Sequence, residues 1–182
     1  VEVLTYECGQ GGGVYIVDNI NGPWTHKRID GDIYDLSVLF DDDGKIYAIH
    51  KYGNVTCTQL KPDLSGPVEG SERVIIPEGN AMGEGHHIYK INGMYYIISA
   101  DYSPMGRMQC ARSKSIYGPY ETCVISARES FGYSAACTTG NVSLGSPIPD
   151  EGFKFTQNKP APNVLLASTI HQGGIVQAEN GK

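Results

Sequence analysis

Two acidic residues stand at matching places in a repeated pattern. Asp35 precedes Gly44 by nine residues and Glu84 precedes Gly93 by nine, and each introduces an apolar stretch that ends at its glycine turn. Two carboxylates brought to one place suit glycosidic bond cleavage. One must be protonated to donate to the leaving oxygen, and a neighbouring negative charge helps it hold that proton. Gly83 and Gly85 flank Glu84 and leave room for close approach of a substrate. His171, ten residues before Gly181, opens a third stretch of the same kind and is expected to point near the same place.

Other residues are weaker candidates. His86 and His87 are neighbours on one expected strand and so face opposite sides, which is wrong for two ligands of one metal. His87 is the one expected to line a pocket. Tyr102 and Phe131 offer aromatic faces on expected loops where a sugar would stack. Asp41–Asp43 reads as a hairpin turn before Gly44 rather than a calcium loop, and Gly11–Gly13 reads as a loop with no Lys-Ser/Thr after it to make a phosphate cradle.

The elements that must position these residues read as strands. Short apolar runs cover Val14–Val17, Asp35–Phe40, Lys45–His50, Asn54–Leu60 and Arg73–Ile76, and the pattern recurs over Gly85–Lys90, Met94–Ala100 and Arg107–Ser113. Gly44 and Gly93 are 49 residues apart, and the aromatic Gly-Pro turns at Gly22 and Gly118 are 96 apart, about twice that. Periods of ~40–50 residues with several strands each are the signature of propeller blades. In a propeller the first strand of each blade is innermost, so equivalent positions on different blades converge on the central axis. Residues 126–169 are expected to form an irregular insertion, and Ile170–Gln177 to resume as a strand.

The 182 residues contain 23 glycines, 12 tyrosines and 10 prolines, a composition for turns and aromatic-rich strands. The net charge of −6 argues against a general nucleic-acid binder, which needs clustered Lys and Arg. No segment approaches the ~18 apolar residues of a membrane-spanning helix. The five cysteines lack C-x-x-C spacing, so neither a full disulfide framework nor a zinc site is expected; Cys57 and Cys110 read as small buried side chains.

The segments Asp35–Tyr47, Glu84–Lys90 with Gly93–Tyr96, Ala111–Ser113 with Gly118–Glu121, and His171–Val176 together resemble glycoside hydrolase family 43, in the family's own order. The resemblance implies an all-β, five-bladed β-propeller of which the end of blade 2 to the start of blade 5 is present. It implies an inverting glycosidase of the β-xylosidase or α-L-arabinofuranosidase type, acting on xylose- or arabinose-containing oligosaccharides of plant cell walls. Glu84 would be the general acid, and Asp35 the carboxylate that raises the pKa of that acid and orients it. His171 would match an axial histidine where some members hold calcium or another cation, often through water; no cofactor is otherwise required. Two departures stand out. Leu36 occupies a place commonly held by proline. The family's general base is an Asp of the first blade, and neither Asp18 nor Asp32 stands in a matching position. This stretch alone is therefore expected to be inactive and poorly folded until further blades or a partner complete it. The alternatives are a non-catalytic carbohydrate-binding propeller, or a related five-bladed family handling fructans or mannosides, which the Asp35 and Glu84 segments fit less well. The expected partner is an oligosaccharide, with neither nucleic acid nor membrane, and the expected compartment is the bacterial periplasm or the extracellular space.

Overall fold

The computed structural model describes residues 2–7, 11–78, 82–101, 107–127 and 174–175. Among these, regular structure consists of strands: β1 (Glu2–Glu7), β2 (Gly11–Val17), β3 (Thr25–Asp30), β4 (Ser37–Phe40), β5 (Ile46–His50), β6 (Val55–Leu60), β7 (Arg73–Ile76), β8 (Glu84–Ile91), β9 (Met94–Asp101), β10 (Arg107–Ser113) and β11 (Glu121–Ala127). They form three antiparallel sheets of sequential neighbours, β1-β2-β3, β4-β5-β6-β7 and β8-β9-β10-β11. Each sheet is one blade.

The blades stack through strands that are apolar on both faces, β5 above all. Every residue of β5 is buried. Ile46 and Ala48 join Val14 and Ile29 of the first sheet in one core, whereas Tyr47 and Ile49 join Ile88, Tyr95 and Ile97 of the third sheet in another. One strand thus feeds two cores by simple alternation. Burying a side chain such as Ile49 or Ile97 contributes roughly 1.5–3 kcal/mol.

The turns carry the repeat down to single hydrogen bonds. Gly22 and Gly118 both adopt positive φ, +89° and +83°. Their amides donate to the carbonyls of Asn19 and Ser115, three residues back in each case. Between β8 and β9 the two-residue turn Asn92-Gly93 has positive φ at both positions, the geometry that matches the twist of a hairpin.

Several expectations change in detail. Gly11–Gly13 is not a loop: these residues open β2 and pair with Arg28–Asp30, because ladder bonds on both sides override the low strand propensity of glycine. Regular pairing of the fourth strand starts at Ser37, so Asp35 lies just before the strand, in a left-handed conformation with φ 57°. Ser126 and Ala127, assigned to the insertion, pair with Met108 and Arg107; the rest of 126–169 lies outside the described residues. Of the strand expected over 170–177, only Gly174 and Ile175 are described, and they are not in a strand.

Candidate active site

The inner strands β4 and β8 run side by side in the same direction, joined by side chains. The Tyr34 hydroxyl donates to Glu84 Oε2 at 3.0 Å, and the Gly85 amide donates to Asp35 Oδ2 at 2.5 Å. Further along, the Ile88 amide donates to Ser37 Oγ at 3.2 Å. At the far end the Asp41 carboxylate accepts from Lys90 Nζ and from the Tyr95 hydroxyl, the latter at 2.5 Å. The register between the blades is therefore about 50 residues throughout, close to the 49-residue spacing of the glycine turns.

Asp35 and Glu84 lie at one end of this seam, both half-buried. The acids are staggered by one residue: Asp35 grips the amide that follows Glu84, while Tyr34 reaches the Glu84 carboxyl itself. The local fold of each side produces this. In β8 the pairing slips between Glu84 and His87, so that one extra residue is accommodated opposite β9. Gly85 absorbs the bulge at φ 65°, where a side chain would be strained. The N–H of this glycine, expected to make room for substrate, also turns onto Asp35. Across the seam, the left-handed turn at Asp35 aims its carboxylate at that amide.

A buried bracket lies behind the pair. His86 is fully enclosed; its Nε2 donates to the Lys51 carbonyl at 2.7 Å and its Nδ1 accepts from the Ser99 hydroxyl at 2.6 Å. The tautomer follows from the partners, since a carbonyl only accepts. Burial holds the His86 pKa below the usual value, against an opposing pull from the Lys51 carbonyl. Lys51 itself has φ 72° and its amide donates to the Tyr34 carbonyl at 2.9 Å. Tyr34, Lys51 and Ser99 were not among the residues singled out from sequence, and His86 was considered there only as a metal ligand and set aside. The signal that points to Tyr34 is its place 50 residues before Glu84, the register of the seam.

His87 is half-buried beside the chain's other end. Gly174 lies against His87 and Tyr89 so closely that a β-carbon at 174 would come within 3.0 Å of the Tyr89 hydroxyl, and the Ile175 amide donates to that hydroxyl at 2.7 Å. Tyr102, Phe131 and His171 lie outside the described residues. Among the described residues no group of three or more His, Cys, Asp or Glu side chains converges in a way that would hold a metal ion. Asp43 is a turn residue, accepting from the Lys45 amide and the Tyr47 hydroxyl. Cys57 and Cys110 are buried in β6 and β10, and burial pushes the Cys57 thiol up to about 12.

The chain matches the family model for glycosyl hydrolases family 43 over residues 4–128. Among curated proteins it is 30% identical over 122 residues to "Xylosidase/arabinosidase 43B" of Humicola insolens, covering 59% of this chain and 23% of that protein. It is 36% identical over 116 residues to "Non-reducing end alpha-L-arabinofuranosidase BoGH43B" of Bacteroides ovatus, covering 60% and 22%. The chain thus spans less than a quarter of these relatives. Among solved structures, a bifunctional GH43-CE protein of Bacteroides eggerthii superposes with a TM-score of 0.58 at 32% identity, covering 65% of this chain and 17% of that one. An engineered GH43 glycoside hydrolase superposes over 94% of this chain and 28% of its own, with a TM-score of 0.62; at 24% identity this likeness shows the fold alone.

Proposed function

The chain belongs to glycosyl hydrolases family 43, and on that premise we propose that it forms part of the catalytic propeller of an inverting glycosidase acting on xylose- or arabinose-containing oligosaccharides of plant cell walls. The observation that supports the proposal is the hydrogen bond from the Gly85 amide, the residue after Glu84, to the Asp35 carboxylate at one end of the β4–β8 seam. The names of the curated relatives, xylosidase and arabinofuranosidase, support the substrate class.

In this reading Glu84 gives its proton to the leaving glycosidic oxygen, and Asp35 fixes where Glu84 stands by holding the next peptide unit. Inversion also requires a carboxylate base about 6.5–9.5 Å from the acid, with the attacking water between them. Asp32 is poorly suited, since its exposed side chain sits 3.8 Å from Lys51 Nζ. The base is proposed to come from outside the described residues. His87 is proposed to line the substrate cleft, and Tyr102 and Phe131 to stack on sugar. A cation such as calcium is proposed to bind at the axis near His171, through water. The net charge of −6 supports an oligosaccharide rather than a nucleic acid as partner, and the periplasm or extracellular space is the compartment where such glycans are met.

The anomer released at early times from a xylo-oligosaccharide or an aryl arabinofuranoside tests the proposal. Proton NMR is expected to show a pentose of inverted configuration. Release of the retained anomer would contradict the mechanism, and tight binding without release would make the propeller a carbohydrate-binding module.

A further inference from the structure

We propose that Tyr34 is a positioning residue for the proton donor: its phenol fixes one oxygen of Glu84 so that the other carries the proton to the leaving group. The proposal rests on the reading of Glu84 as general acid and goes beyond it.

Four observations support it. The Tyr34 hydroxyl donates to Glu84 Oε2 at 3.0 Å. The next residue, Asp35, accepts the amide of the residue after Glu84 at 2.5 Å, so the dipeptide Tyr34-Asp35 holds the dipeptide Glu84-Gly85 at two points. The backbone of Tyr34 is itself anchored, because its carbonyl accepts the Lys51 amide at 2.9 Å. The Lys51 carbonyl in turn accepts His86 Nε2 at 2.7 Å, and His86 stands two residues after Glu84 on the same strand. The closed path Glu84–Tyr34–Lys51–His86 therefore ties the phenol to the strand whose acid it serves. Lys51 is held at φ 72°, a conformation that a non-glycine residue adopts when its surroundings fix it.

The chemistry follows from which atom is occupied. With Tyr34 donating to Oε2, the transferable proton of Glu84 resides on Oε1. As the glycosidic bond breaks, that proton passes from Oε1 to the leaving oxygen, and Glu84 becomes a carboxylate. The phenol keeps its own proton, and its hydrogen bond to Oε2 becomes charge-assisted, about twice as strong as the neutral one. An interaction that strengthens as charge develops favours the transition state over the ground state.

The test compares Tyr34→Phe and Glu84→Gln in the enzyme carrying this sequence, on a pentoside with a poor leaving group and on its 2,4-dinitrophenyl counterpart, which needs little proton donation. Phenylalanine keeps the ring and removes only the donor. Tyr34→Phe is expected to lower kcat on the poor leaving group about tenfold, the scale of one hydrogen bond to a charged group. KM and turnover of the activated substrate should hold within about twofold. In the substrate-free protein, the ¹³C resonance of the Glu84 carboxyl should move in Tyr34→Phe. If Glu84→Gln hydrolyses the poor leaving group as well as the unmodified enzyme does, the assignment of Glu84 fails and the proposal with it. If Glu84→Gln loses that activity selectively while Tyr34→Phe slows both substrates equally or neither, or leaves the carboxyl resonance in place, the role of Tyr34 alone is overturned.

Discussion

At the scale of single residues, the site is framed by histidines that the fold keeps neutral. His50 is fully buried in β5 with its Nε2 against the Thr58 hydroxyl at 2.8 Å, and its Nδ1 has no hydrogen-bond partner among the described residues. Burial, with the Lys51 charge adding to it, lowers its pKa to about 4. His86 is shifted in the same direction. The unfolded chain takes up these protons near pH 6.5, and the folded protein resists until lower pH. Stability is therefore fully present above pH 6.5 and is lost as pH falls towards 4. For His50 alone the loss is on the order of 3 kcal/mol, from 1.36 kcal/mol per pKa unit. Urea titrations at pH 7 and pH 5 should show the drop, and a His50→Gln variant should show less of it. Equal midpoints at both pH values would contradict the assignment of neutral buried histidines. That Asp35 and Glu84 fall at the same end of one seam was legible from their matched spacing to the glycine turns. Tyr34 and the His86 bracket were not, because a half-exposed tyrosine and a strand histidine have no sequence signature until the inter-blade register is known.

At the scale of elements, the seam between β4 and β8 is closed at the end opposite the acids by Asp41. Its side chain is buried and accepts from Lys90 and Tyr95 of the neighbouring blade. Burial works against the Asp41 charge, but hydrogen bonds from Lys90, Tyr95 and the Asp42 amide outweigh it and hold its pKa below the usual carboxylate range. A turn residue thus locks two blades. Replacing Asp41 by Ala leaves the Tyr95 hydroxyl and the Lys90 ammonium without their buried partner, and breaking such a group costs roughly 3 kcal/mol. A fall in melting temperature of several degrees is expected for Asp41→Ala, with a smaller one for Asp42→Ala, whose side chain is exposed. Equal shifts for the two variants would remove the latch. Elements with apolar alternation were read well: β7 and β10 begin and end where the sequence pattern places them. Strands at Glu2–Glu7, Thr25–Asp30 and Glu121–Ala127 were missed and β2 was read only from Val14, and for β3 and the start of β2 the signal is absent. In β3, Thr25–Asp30, one position is buried, Ile29, and the rest is polar. In β2 three leading glycines carry no side chains to alternate, and pairing from both neighbours decides their conformation.

At the scale of the whole molecule, the account depends on blades from consecutive stretches of chain bringing their inner strands to one axis. The repeat made that arrangement legible. The glycine turns, the Gly-Pro corners and the two acids all recur at one period or its double, and stacking through shared cores converts sequence period into spatial neighbourhood. The one-residue stagger of the acids was not legible, because it arises from a bulge at Gly85 within the third blade and a left-handed turn at Asp35, neither of which shows in the spacing. Groups that act as one unit are non-additive when removed together. The most direct measurement is therefore kcat/KM for Asp35→Asn, Glu84→Gln and the double variant on one aryl pentoside with a poor leaving group; asparagine is chosen because it tolerates the left-handed backbone at position 35. Each single variant is expected to lose on the order of 10²-fold or more, and the double variant to be no slower than the worse single variant within about threefold, the scale of ordinary coupling scatter. Losses that multiply in the double variant would mean that the two carboxylates act independently, and would contradict a shared site.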